Sequence, residues 1–136
     1  MSVFIDTSAL LALLDGDNTA HPPVVRAWSQ ILGEDEPLWC TNYVLVETCA
    51  LTQRRLGMEA LRAFLDDVVP VLNVHWLSDL EHAKAAAALI AANRRNLSLV
   101  DCASFESMRT RGLRKALTLD GHFAEKGFEC LPELRA

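Results

Sequence analysis

Short apolar runs that each flow directly into a helix-length stretch are the feature that most restricts the folds open to this chain. Val3-Phe4-Ile5 is a β-rich run closed by Asp6, and Ser8 to Leu14 follows at once as an apolar helical stretch stopped near Gly16. The unit recurs. Leu38-Trp39-Cys40 precedes a helix capped by Thr41 or Asn42 and running through Leu56 to a stop at Gly57. Val71 to Trp76 precedes a long helix from the Ser78 cap through Arg95, and the spacing Ser78-x-x-Glu81 is that of a capping box. Ala116 to Leu119 ends in Asp120, and Phe128 to Leu131 makes a fifth run. Further helices are expected over residues 22–33, which begin Pro22-Pro23, over Met58 to Val69 before Pro70, and from the Ser98 cap to Gly112. Strands alternating with helices imply an α/β fold with a mostly parallel sheet covered on both sides.

A chain of 136 residues suits one compact domain, taken as 1–136. With 51% apolar and 23% charged residues it is neither a disordered tail nor a disulfide scaffold. The longest apolar run, Ala85 to Ala92, is far shorter than the ~20 residues a membrane span needs. Met1 to Asp6 has no basic lead and no apolar signal stretch, so export is not encoded and a cytoplasmic protein is expected, without membrane partners. Cys40, Cys49, Cys102 and Cys130 form no C-x-x-C pair and are read as buried free thiols. Trp28, Trp39 and Trp76 fall in apolar stretches and are read as packing residues.

Four acids carry the chemistry. In an open α/β sheet, a strand's carboxyl end and the first turn of the next helix share the edge where ligands bind. Asp6 and Asp120 each close a run, Asp101 lies three residues after the Ser98 cap, and Glu47 lies within two turns of the Thr41/Asn42 cap. Each has a plainer reading: Asp101 as the second half of a capping box, Asp6 as a loop-starting residue, Asp120-Gly121 as a turn. Glu47 resists such a reading, because Tyr43, Val44, Ala50 and Leu51 flank it on the helical wheel and a buried carboxylate requires compensation. If the four converge, each ionised pair ~5 Å apart repels by about 3 kcal/mol at an effective dielectric of ~20. Such a group calls for a cation, and an oxygen donor set selects a hard one, Mg²⁺ or Mn²⁺, as one or two ions. Thr7, Ser8, Ser98 and Thr118 stand beside the acids and are expected to orient them.

Charge is segregated along the chain. The net charge is −5, yet residues 94–115 hold six basic residues (among them Arg94, Arg95, Arg109 and Arg111) against two acids. That window is the expected contact for a nucleic-acid backbone. Rival chemistries fail locally. A phosphatase with an aspartyl nucleophile needs a second Asp where Ser8 stands, and an Asp-x-Ser-x-Ser metal-adhesion site needs Ser where Leu10 stands. No glycine-rich phosphate loop, His-Glu-x-x-His or Gly-x-Ser-x-Gly segment is present.

Laid out in order, Phe4-Ile5-Asp6-Thr7-Ser8-Ala9-Leu10, Val44-Leu45-Val46-Glu47-Thr48, Leu97-Ser98-Leu99-Val100-Asp101 and Leu117-Thr118-Leu119-Asp120-Gly121-His122-Phe123 resemble the motifs of a PIN-domain protein, most of all a VapC-type toxin nuclease. The likeness spans residues 3 to about 130. It implies a three-layer α/β/α domain, a Mg²⁺- or Mn²⁺-dependent endoribonuclease, an RNA substrate, a homodimer and an antitoxin partner. Carried over by position, Asp6, Glu47, Asp101 and Asp120 become the metal-site acids, supported by Thr7, Ser8, Ser98 and Thr118. Many relatives carry a further acid shortly before the Ser-x-x-Asp segment, where this chain has Asn96. The competing expectation is a non-catalytic module whose acidic pocket receives a partner's arginine or lysine.

Overall fold

The computed structural model describes residues 1–133, so the last three residues of the expected 1–136 domain lie outside the described residues. Five strands, β1 (Val3–Ile5), β2 (Leu38–Thr41), β3 (Leu72–His75), β4 (Lys115–Leu117) and β5 (Glu129–Leu131), pair in the order β3-β2-β1-β4-β5. Every pairing is parallel, with Val3 opposite both Leu38 and Lys115. Helices α1 (Thr7–Leu14), α2 (His21–Gly33), α3 (Asn42–Leu56) and α4 (Met58–Ala63) fall between β1 and β3. Helices α5 (Asp79–Ala92) and α6 (Leu99–Arg111) link β3 to β4, and the short α7 (His122–Glu125) links β4 to β5. Successive strands step one way from β1 to β3, then jump back across β1 to β4. Right-handed crossovers therefore put α1 to α4 on one face and α5 to α7 on the other, which makes three layers. The reversal lies between β1 and β4, and an open sheet binds its ligands in the crevice outside such a point.

The central strands are apolar throughout because both faces are covered. Phe4, Ile5, Leu38 and Leu117 are fully buried, with Phe64 and Met108 from the helical layers. Phe123 anchors α7 beneath the sheet edge, its ring 4.9 Å from that of Phe105 in edge-to-face contact. Among the described residues no helix is long and apolar enough to cross a membrane.

Several boundaries differ from expectation, each for a local reason. The helix expected over Met58 to Val69 is α-helical only to Ala63, continuing as a π turn over Phe64–Val68 and a 3₁₀ turn over Val69–Val71. Pro70 has no amide to donate to the Asp66 carbonyl and its ring crowds that carbonyl, so the regular α ladder gives way ahead of it, although Val69 itself keeps helical angles (φ −55°, ψ −40°). α5 stops at Ala92 rather than Arg95 because Asn93 takes the left-handed conformation, with φ of 52°. β4 ends at Leu117 instead of Leu119, leaving Asp120 in the loop. There the Leu119 amide donates to Ser8 Oγ (2.9 Å) and the Asp120 amide to Thr118 Oγ1 (2.9 Å), so side chains replace the ladder. Trp76 is not a packing residue: it is 69% exposed at the end of β3, whereas Trp28 and Trp39 pack against the core. All four cysteines are free; Cys40 and Cys102 are buried, Cys49 and Cys130 only partly so. Burial pushes the Cys40 thiol up to about 12.

Candidate metal centre

β1 delivers Asp6 to the sheet edge, where it caps α1 and is only 6% exposed. Its Oδ1 accepts from Ser8 Oγ (2.8 Å) and from the Ala9 amide (3.3 Å). Burial raises its pKa to about 7; the Ser8, Thr118 and Ala9 hydrogen bonds pull the other way, and the nearby charge of Asp120 adds to the rise. Ser8 Oγ also lies 3.5 Å from Thr118 Oγ1, so one hydroxyl ties β1, α1 and the loop after β4 together. Thr7 is buried behind Asp6, with Thr48 Oγ1 of α3 donating to its Oγ1 at 3.4 Å.

Asp101 stands in the first turn of α6. The capping box expected from Ser-x-x-Asp is present: Asp101 N donates to Ser98 Oγ (3.0 Å) and Ser98 N to Asp101 Oδ2 (3.1 Å). Capping does not exhaust the carboxylate, whose two oxygens offer about four acceptor sites. Its pKa is raised by burial and by Asp120, against the lowering effect of the Ser98 amide and of His122. Asp120 accepts the His122 amide at 2.9 Å through Oδ1.

His122 lies outside the oxygen-only donor set expected from the sequence, although its place two residues after Asp120 makes it the one histidine expected to approach the site. Its Nδ1 lies 2.8 Å from Asp120 Oδ1 and 3.8 Å from Asp101 Oδ2, yet it is buried and makes no aligned hydrogen bond. One ligand atom each from Asp101, Asp120 and His122 lies within 4.8 Å of the others. A buried ring nitrogen left without a hydrogen bond between two carboxylates fits a divalent cation, as does a neighbouring acid held at about 7 by burial. The available signal was His122 two positions after Asp120, at the start of a helix that folds straight back over the same edge.

Glu47 is placed differently from its expectation. The buried row of α3 is Val44, Thr48 and Thr52, facing α1, so Glu47 is one position round the helix and only half-buried. Ala50, expected beside it on an apolar stripe, is exposed. The compensation that a buried carboxylate demands is therefore not required of Glu47. It lines a cavity with Asn42, Tyr43, Val46 and Val100, the last of these adjoining Asp101, and among the described residues it forms no hydrogen bond or ion pair. The basic window divides in space. Arg94 and Arg95 lie in the loop leading to Ser98, with Arg94 paired to Glu125 of α7 at 2.8 Å. Arg109 and Arg111 occupy the last turn of α6, and Arg111 sits 4.2 Å over the Trp39 ring. At 1.5 Å per residue, Arg111 is about 15 Å along the helix from Asp101.

Comparison with known proteins gives a consistent answer. The family model described as the PIN domain matches residues 3–129. The 23S rRNA-specific endonuclease VapC20 of Mycobacterium tuberculosis is 35% identical, over 96% of this chain and 99% of its own length. The crystal structure of that organism's VapC20, a Sarcin-Ricin loop cleaving toxin, superimposes with a TM-score of 0.82 at 31% identity, covering 93% of this chain and 96% of that one. VapBC2 from Rickettsia felis, bound to promoter DNA, shares the fold at a TM-score of 0.71 and 10% identity, covering 96% of this chain and 97% of that one. With a family model spanning nearly all of its length and a relative of this identity end to end, the chain belongs to the PIN-domain family, among the VapC-like toxin ribonucleases.

Proposed function

We propose that this single domain is a divalent-metal-dependent endoribonuclease in which Asp6, Asp101 and Asp120 hold the ion or ions, His122 stands beside them, and Glu47 supplies a fourth carboxylate from the rim. The observation that carries the reading is the meeting of Asp101, Asp120 and His122 ligand atoms within 4.8 Å at the sheet's switch point. Mg²⁺ and Mn²⁺ both suit the carboxylates, and an imidazole in the set favours Mn²⁺. When bound, such an ion polarises the phosphoryl oxygen and lowers the pKa of water for attack on the phosphodiester. The chain's own groups prepare the site. Ser8 and the Ala9 amide hold the Asp6 carboxyl in one orientation, Ser98 holds Asp101, and Thr118 supports the loop carrying Asp120.

The similarity to VapC20 over nearly the whole chain supports ribosomal RNA as the substrate and a toxin role with a cognate antitoxin. Arg94 and Arg95, close to Ser98, are the members of the basic window best placed to meet RNA; Arg109 and Arg111 would reach it only at a distance from the acids. Exposed Val46 on α3, Met58 on α4 and Leu65 just after it support these helices as the homodimer face. A cytoplasmic location follows from this substrate. The test is cleavage mapping on total RNA. Purified chain should cut in Mn²⁺, stop with chelator, and lose activity as Asp6→Asn or Asp101→Asn. If the inhibitor-free chain leaves every RNA intact, the nuclease reading gives way to a binding module that uses the same acids.

A further inference from the structure

A cation lies in the wall of a cavity that adjoins the scaffold of the acidic centre. A cavity of about 260 Å³ opens between α1, the end of α3 and the loop after β4. Two of its wall residues belong to the metal centre's own scaffold: Ser8, which donates to Asp6, and Leu119, whose amide donates to Ser8 and which directly precedes Asp120. Leu11, Leu56 and Leu119 form the apolar part of the lining, and Asp15 and Asn18 the polar part. Arg55, in the last turn of α3, completes the wall; it is exposed and, among the described residues, forms no ion pair, not even with Asp15.

An RNA strand approaching three carboxylates is repelled, and a guanidinium in a cavity that shares Ser8 and Leu119 with their scaffold offsets that repulsion at a phosphate outside the reacting one. Arginine is also the side chain best shaped to grip a phosphate through two parallel hydrogen bonds. The apolar lining suits one face of a base or sugar. Asp15 Oδ1 is already engaged by the Asp17 amide and Asn18 Oδ1 by the Ala20 amide, so both side chains are held in place to meet a base edge or a ribose hydroxyl. We propose that this cavity seats the nucleotide next to the cleaved phosphodiester, with Arg55 on its backbone phosphate and Asp15 and Asn18 contributing to the choice of base. This assignment rests on the endoribonuclease reading and extends it to a subsite.

The test separates the two. Binding of a fluorescein-labelled single-stranded RNA of mixed sequence is measured in chelator, between 50 and 300 mM salt, for wild type, Arg55→Ala and Arg55→Lys. Arg55→Ala should weaken binding several-fold at low salt and make the slope of log K against log salt shallower by about 0.7, the loss of one phosphate contact to a single strand. Arg55→Lys should restore the slope, and both variants should melt as wild type does. In Mn²⁺, Asn18→Ala should redistribute the cleavage positions mapped on total RNA. If wild type binds and cuts while Arg55→Ala keeps its affinity, slope and cleavage pattern, the cavity assignment falls alone. If wild type neither binds nor cuts, the nuclease reading falls and takes the subsite with it.

Discussion

Burial holds the Asp6 carboxyl at about 7 against an ordinary 3.8, so folding and ionisation oppose each other at this residue. A carboxyl raised in the folded state adds stability that is complete below the ordinary carboxylate range and disappears as pH climbs through about 7. In chelator, thermal stability should therefore fall between pH 5 and pH 8, by an Asp6 contribution of at most about 3 kcal/mol. Asp6→Asn should flatten that fall, and Mn²⁺ should stabilise wild type more at pH 8 than at pH 5. Calorimetry at the two pH values decides it, and an identical slope in the variant would refute it. Ser8 makes a second residue-scale case. Ser8→Ala removes the bond that orients Asp6 and also the acceptor of the Leu119 amide. Cleavage should fall ~10–100-fold, the usual effect of losing a group that orients a metal ligand.

At the scale of elements, two capping boxes of the same type offer a comparison. Ser78 caps α5 with Glu81, and Ser98 caps α6 with Asp101. Replacing either serine by alanine should cost about 1 kcal/mol, read as a shift in denaturant midpoint. Only Ser98→Ala should also depress RNA cleavage, because only its partner belongs to the acidic centre. Equal activity in the two variants would mean that Asp101 needs no steering from its cap. Glu81 illustrates the contrasting fate of a capping acid. It receives the Ser78 amide and meets His75 Nε2 at 2.8 Å, while His75 Nδ1 lies 2.6 Å from the buried Ser107 Oγ. That network fastens β3, α5 and α6 together, and Ser107 within it has no access to solvent.

Across the whole molecule, the reversal of strand order between β1 and β4, in a sheet whose strands all run parallel, is what makes one edge chemically distinct. The division of the basic residues follows from the same layout, since α6 leads away from that edge. Arg94→Ala with Arg95→Ala should lower RNA affinity and its salt dependence, whereas Arg111→Ala should chiefly cost stability through the lost contact with Trp39. Binding titrations and melting curves on the same two proteins distinguish these outcomes.

Much of this was readable before any fold was known. Local chemistry governs where a run of Val3-Phe4-Ile5 becomes a strand, where Ser78 and Ser98 start helices and where Gly57 stops one, because caps, turns and apolar periodicity act within a few residues. The α/β class and the sheet edge carrying Asp6, Asp101 and Asp120 follow from that order of elements. What lay beyond reach was whatever depends on which side chains meet from distant segments. Ser8 cuts β4 short across 111 positions, α3 turns Thr48 rather than Glu47 toward α1, and α7 folds His122 back onto Asp101. A helix's own periodicity shows that it has a buried face, but its neighbours choose the angle at which that face is set, and a shift of one residue moves a carboxylate from the core to the rim.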